Sequence, residues 1–184
     1  MKTHRVKNLM VPLEEYATVN ENASLFEAVF ELERIQAKFD PARYRHRAVL
    51  VIDDQGHVVG KVSQLDILRS LEPKYDEIQQ RQEQYRSGFT RQFLKSLLDN
   101  YDLWQKPMDD ICKKAVQRKI KDFMYTPSEG EFVNENASLD EAIHQLVMGQ
   151  QQSLLVVRKD EIVGILRLTD VFAAVTDAIK QCPI

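Results

Sequence analysis

Apolar residues fall into two kinds of pattern along this 184-residue chain. Short continuous runs, Val49-Leu50-Val51-Ile52 and Leu154-Leu155-Val156-Val157, read as buried strands. A polar turn follows each, Asp53-Asp54-Gln55-Gly56 or Arg158-Lys159-Asp160-Glu161, and then a second strand, Val58 to Val62 or Ile162 to Leu166. Ahead of each run the spacing becomes helical. Leu25, Ala28, Val29, Leu32 and Ile35 share one face, and so do Leu139, Ala142, Ile143, Leu146 and Val147. Ser24 and Ser138 precede these helices with Glu27 and Glu141 three residues on, the pattern of a reciprocal cap in which serine and glutamate each satisfy a free backbone N–H. A last helix begins near Leu65 or Thr169. The predicted unit is a short strand, helix, strand, strand, helix, and it occurs twice.

The two units are copies. Val19-Asn20-Glu21-Asn22-Ala23-Ser24-Leu25 recurs letter for letter at Val133 to Leu139. Val6-Lys7-Asn8-Leu9-Met10 resembles Ile120-Lys121-Asp122-Phe123-Met124, and Gly60 through Asp66 resembles Gly164 through Asp170. The offset is 114 residues through the first helix, then 105, then 104. The first copy therefore carries nine extra residues around Phe39 to Arg47. A long repeat present only twice indicates a pseudo-symmetric pair, not an array. The expected division is 1–71 for the first copy, 72–118 for an insert and 119–184 for the second copy.

The insert follows neither copy. It is rich in Gln, Arg and Glu from Tyr75 to Arg86. Phe89, Phe93, Leu94, Leu97 and Leu98 then recur at helical spacing, Lys106-Pro107 predicts a break, and a shorter helix is expected over Asp109 to Arg118. Leu103 and Trp104 are either a partner anchor or the residues that pack the insert onto the body.

Hydrophobic residues make up 43% of the chain, enough for a core, and the net charge is −3, without the basic excess of a nucleic-acid binder. Ten basic and seven acidic residues between Lys74 and Lys119 make the insert locally positive, but the interspersed acids argue for an ordinary charged helix. No apolar run approaches the ~20 residues that span a bilayer. Cys112 and Cys182 form no CxxC pair, which favours a reducing compartment, so a cytoplasmic protein without membrane contact is expected. His4, His46, His57 and His144 lack metal-ligand spacing, and no Walker loop, Gly-x-Ser-x-Gly or His-Glu-x-x-His motif occurs. No catalytic centre is expected.

The doubled pattern of Lys-x-x-Met, Val-x-x-x-Ala-Ser-Leu-x-Glu-Ala, Val-Leu-Val-Ile-Asp and Gly-Lys-Val-Ser-Gln-Leu-Asp-Ile-Leu resembles a tandem pair of CBS domains, a Bateman module. The resemblance covers about two-thirds of the chain and leaves out the insert. It implies an α/β fold in which two pseudo-twofold-related β-α-β-β-α units enclose clefts for adenosine-containing ligands: AMP, ADP, ATP or S-adenosylmethionine. It implies ribose contacts from Asp66 and Asp170 and a hydroxyl contact from Ser63, with Thr169 beside them. It also implies a homodimer, with a separate protein target or self-association as the readout. No cofactor is required.

Three sets of residues leave alternatives open. Asp66 and Asp170 suit helix N-caps as well as ribose ligands. Arg167 stands where the first copy has Ser63, and its guanidinium either binds a phosphate or fills the cleft and excludes ligand. Arg43, Arg45, His46 and Arg47 form either a solvated loop or a phosphate clamp, with Arg47 the clamp candidate. Besides nucleotide sensing, a ligand-free interaction or dimerisation scaffold and an unrecognised hydrolase or transferase remain alternatives.

Overall fold

The computed structural model describes residues 4–39, 41, 43–72, 74–82, 90–105 and 108–182. A 3-10 turn (Val6–Asn8) and a short strand β1 (Val11–Pro12) precede the first copy, which runs β2 (Thr18–Asn20), α1 (Leu25–Lys38), β3 (Ala48–Ile52), β4 (Val58–Ser63) and α2 (Gln64–Leu71). The insert supplies α3 (Lys74–Gln82), α4 (Arg91–Tyr101) and α5 (Met108–Gln117). A second 3-10 turn (Ile120–Asp122) leads into β5 (Phe132–Asn134), α6 (Leu139–Gly149), β6 (Ser153–Arg158), β7 (Glu161–Arg167) and α7 (Leu168–Lys180). The doubled β-α-β-β-α unit is thus present as the hydrophobic pattern predicts.

The sheets have the orders β2-β3-β4 and β1-β7-β6-β5. In each copy the first strand is parallel to the second, and the second antiparallel to the third. Even the irregularities repeat: the register shifts at Val51/Ile52 and again at Val156/Val157. Val11, Leu50, Leu155 and Ile165, none more than 2% exposed, share a cluster that joins the two sheets. Fully burying a side chain of this kind contributes roughly 1.5–3 kcal/mol.

The segments that open the copies are exchanged. Val6 N donates to Ala137 O at 3.1 Å and Lys7 N to Glu135 O at 2.9 Å, so the first segment lies on the second copy. Reciprocally, Ile120 N donates to Ala23 O at 2.9 Å and Lys121 N to Glu21 O at 3.0 Å. Val6 is buried in the core of the second copy, and Ile120 in the core of the first. The glycines of the repeat permit this close approach. A Cβ on Gly164 would stand 2.5 Å from Val11 O, and one on Gly60 would stand 2.8 Å from Met124 Sδ.

Helix caps show where the copies diverge. At α1, Glu27 N donates to Ser24 Oγ at 3.2 Å, and Ser24 N donates to Glu27 Oε2 at 2.6 Å, the expected reciprocal cap. At α6 the expected Ser138–Glu141 cap does not form. The crossing segments treat both helices alike, with Leu25 N donating to Arg118 O at 2.9 Å and Leu139 N to His4 O at 3.0 Å. Leu25 and Ala28 are buried as predicted, with Leu32 and Ile35 packed partly against the first core. Leu139, Ala142 and Leu146 are buried in α6, but Val147, assigned to the same face, is 65% exposed because it lies past the edge of the buried stripe.

In the insert, α4 covers Phe93 to Leu98 as expected, while Phe89, Lys106 and Pro107 lie outside the described residues. Helix α5 packs against α1 and α2. Trp104 turns back on the insert: its N donates to Glu72 Oε2 at 3.2 Å and its Nε1 to Tyr75 Oη at 2.9 Å, while Leu103 is buried.

Candidate functional site

A cleft of about 520 Å³ opens between the copies at the start of α2 and α7. From the first copy it takes Tyr16, Arg45, Arg47, Ala48, Lys61, Ser63, Gln64, Leu65 and Asp66. From the second it takes Tyr125, Gln150 to Ser153, Arg167 and Thr169. The fold thus brings five of the six sequence-nominated residues, Arg47, Ser63, Asp66, Arg167 and Thr169, to one opening. Asp170 is not on its wall and instead lines a separate groove with His4, Arg43 and Tyr44. A wider groove of about 920 Å³ lies beside α1 and α2 and draws on the first copy alone.

Neither aspartate is a helix N-cap. Ser63 caps α2, and Asp66 sits three residues inside it. Asp66 N donates to Ser63 Oγ at 3.2 Å, and Ser63 N and Oγ donate to Asp66 Oδ2 at 2.9 and 2.6 Å. None of these bonds uses Oδ1. A carboxylate fixed through one oxygen at the positive end of a helix, with its second oxygen unpartnered among the described residues and beside a cleft, suits donation from vicinal hydroxyls.

The second copy solves the same local problem differently. Arg167 stands at the N-cap of α7 but makes no side-chain bond to that helix's backbone. Its Nε and Nη2 donate to Asp170 Oδ2 and Oδ1 at 2.5 and 2.6 Å, so both carboxylate oxygens are taken. Arg167 is 5% exposed and Asp170 8%. Phe39, Arg43 and Tyr44 of the enlarged segment contact this pair. Arg167 Nη1 donates to Tyr44 O at 2.8 Å, its Cζ lies 5.3 Å from the Phe39 ring centre, and Arg43 Nη2 approaches Asp170 Oδ1 at 3.6 Å.

His46 completes the packing, with Nδ1 at 3.4 Å from Arg167 Nη1 and its ring against Tyr16 and Phe39. Burial, reinforced by the charges of Arg167 and Arg43, pushes its pKa down to about 4, so the ring is neutral and Nδ1 can accept. Burial also pushes the Tyr16 phenol up to about 12.

Charge is distributed unevenly around the cleft. Arg45 and Arg47 are exposed and have no ion-pair partner among the described residues. Lys61, by contrast, is committed to Glu131 at 2.5 Å. Sequence reasoning missed Lys61, Tyr125, Tyr16 and the Gln150 to Ser153 turn. The side-chain partner of Lys61, Glu131, lies on the other copy, and no local spacing reveals that. Among the described residues no group of three or more His, Cys, Asp or Glu can hold a metal, and no helix is long and apolar enough to cross a membrane.

The sequence model of the CBS domain matches residues 6–73 and again residues 120–177. The chain belongs to the CBS-domain family. Its two CBS units form a tandem pair, a Bateman module, and the helices α3 to α5 lie between them. Solved structures share this fold. The CBS domain of a membrane protein from Sphaerobacter thermophilus is 16% identical, with 94% of this chain and 88% of that chain covered and a TM-score of 0.63. CBSX2, a CBS-pair protein of Arabidopsis thaliana, in complex with AMP is 22% identical, with 97% and 99% covered and a TM-score of 0.57. A CBS domain-containing protein of unknown function from Kribbella flavida is 14% identical, with 94% and 98% covered and a TM-score of 0.61. No curated protein sequence matches this chain.

Proposed function

We propose that this Bateman module is a regulatory sensor that binds an adenine nucleotide, or another adenosyl ligand, in the cleft between its CBS units. The observation that carries the reading is Asp66: one oxygen is fixed by Ser63, the other is unpartnered among the described residues at the wall of a cleft large enough for a nucleoside. Arg47, with Arg45, supplies unpaired positive charge for phosphates at the same opening, and Arg167 and Thr169 form the opposite wall. The complex of CBSX2 with AMP supports this class of ligand over others. AMP, ADP, ATP and S-adenosylmethionine are the candidates.

Sensing requires that the ligand bind two conformations unequally. The readout is a separate protein target or self-association. A homodimer in the cytoplasm fits the family resemblance, and exposed Phe26, Phe30, Leu65 and Leu68 on α1 and α2 offer an apolar face to a second copy. Sedimentation of the chain as a monomer at all concentrations rules that arrangement out.

A thermal-shift panel with the four ligands and adenosine tests the binding. At 100 times its dissociation constant a ligand stabilises by about 2.7 kcal/mol, and Asp66→Asn removes the shift. No shift from any of them at millimolar concentration overturns the reading and leaves the ligand-free scaffold.

A further inference from the structure

The two departures of this chain from its own repeat are in contact. The residue that replaces serine, Arg167, and the nine-residue enlargement of the first copy are held together by the Arg167–Tyr44 hydrogen bond and by the stack of Arg167 on Phe39. We propose that these two features together occupy the carboxylate of the second nucleoside site, so that the module takes one ligand per chain, at Asp66 and not at Asp170.

The proposal rests on the sensing role above and specifies its stoichiometry. The two carboxylates occupy matching places, three residues into α2 and α7, but in opposite states. Asp66 spends one oxygen on its own helix cap and borders the open cleft. Asp170 is 8% exposed and lines a separate groove of about 530 Å³, but both of its oxygens are held by Arg167. A ribose at Asp170 has to displace a two-pronged charge-assisted contact and leave a buried guanidinium short of acceptors, which is far costlier than meeting a free oxygen. Tyr44 and His46 hold that guanidinium from the far side, so it cannot swing aside without moving the enlarged loop.

Titration calorimetry with AMP on the full chain and two variants decides the stoichiometry. One AMP per chain is expected for the wild type, a loss of at least thirtyfold in affinity for Asp66→Asn, and affinity within twofold of wild type for Asp170→Asn. Two AMP per chain overturns the proposal. So does an Asp170→Asn variant that stays folded yet weakens AMP as much as Asp66→Asn does. A second measurement needs neither ligand nor variant. By NMR the Arg167 Nε–H should exchange with water on the order of a hundredfold more slowly than the exposed Arg47 Nε–H. Equal exchange rates overturn the occupancy of Asp170 by Arg167. Failure of the wild type to bind AMP removes the sensing role alone, and the exchange rates then decide that occupancy.

Discussion

Lys61 and Glu131 lie 70 residues apart in sequence, and their side chains meet at 2.5 Å with the carboxylate 1% exposed. The pair ties β4 of the first CBS unit to the segment that leads into β5 of the second. Glu131 Oε1 also accepts from Tyr125 Oη at 2.5 Å and, in a local cap, from Ser128 N at 3.0 Å, which fixes the carboxylate in place for Lys61.

Removing the charge of Glu131 should therefore loosen the junction. Burial pushes its carboxyl up, but the hydrogen bonds from Lys61, Tyr125 and Ser128, with the charge of Lys61, outweigh this and hold it below 4.5. Its stabilisation is complete above 4.5 and is lost as pH falls through the lower folded-state value. Glu131→Gln is expected to cost roughly 3 kcal/mol at pH 7, at the low end for a broken buried pair because Lys61 keeps some contact with water. Urea denaturation should also show a flatter acid limb below pH 4.5 than in the wild type.

A second acid window belongs to His46. Its folded pKa of about 4 lies below the ordinary 6.5, so the unfolded chain takes up the proton first. Stability from the neutral ring is full above 6.5 and falls as pH drops toward 4. Between pH 7 and pH 5 the loss is about 2 kcal/mol. His46→Phe, which keeps a ring between Tyr16 and Phe39, should remove this slope while leaving the one below pH 4.5. Equal slopes in both proteins would assign the titration to another group.

The equivalent glycines should respond unequally to alanine. At Gly164 the added methyl meets the Val11 carbonyl at 2.5 Å, a backbone atom fixed in a sheet. At Gly60 the nearest atom is Met124 Sδ at 2.8 Å, the end of a flexible side chain, although Tyr125 O also lies at 3.1 Å. Gly164→Ala is expected to cost about 3 kcal/mol and Gly60→Ala about 1 kcal/mol, within the range for overpacking. Thermal or chemical denaturation of the two variants checks the order.

Arg47 is expected to read phosphate. Arg47→Ala should weaken ATP about tenfold, or ~1.4 kcal/mol, and change adenosine less than twofold. The difference should shrink at high salt, because the side chain is exposed. Equal losses for both ligands would remove the phosphate role.

Much of this molecule was legible in one sequence because duplication supplied an internal comparison. The copied Val-Asn-Glu-Asn-Ala-Ser-Leu segment located α1 and α6, and the Gly60 and Gly164 alignment located the strands and the helix starts. Ser63 and Asp66 are nominated by the family resemblance, and the hydrogen bonds between them lie within one helical turn. What stayed hidden depends on the other copy. Nothing around Lys61 points to Glu131, and nothing around Arg167 distinguishes a guanidinium aimed at a phosphate from one folded onto Asp170 beneath Tyr44. Asp66 and Asp170 carry the same letter at the same place in the repeat, and the residue three positions earlier, Ser63 in one copy and Arg167 in the other, sets how many of the carboxylate oxygens are taken.

The exchange of opening segments sets an order on synthesis. Ile120, Phe123 and Met124 complete the hydrophobic interior of the first CBS unit. During translation that unit has all its own strands and helices long before it has its last wall. It must wait, with Val49, Val51 and Val62 uncovered, until the whole insert has left the ribosome. The helices α3 to α5 therefore stand between the first CBS unit and the residues that close its core, and lengthen the interval before that core is complete.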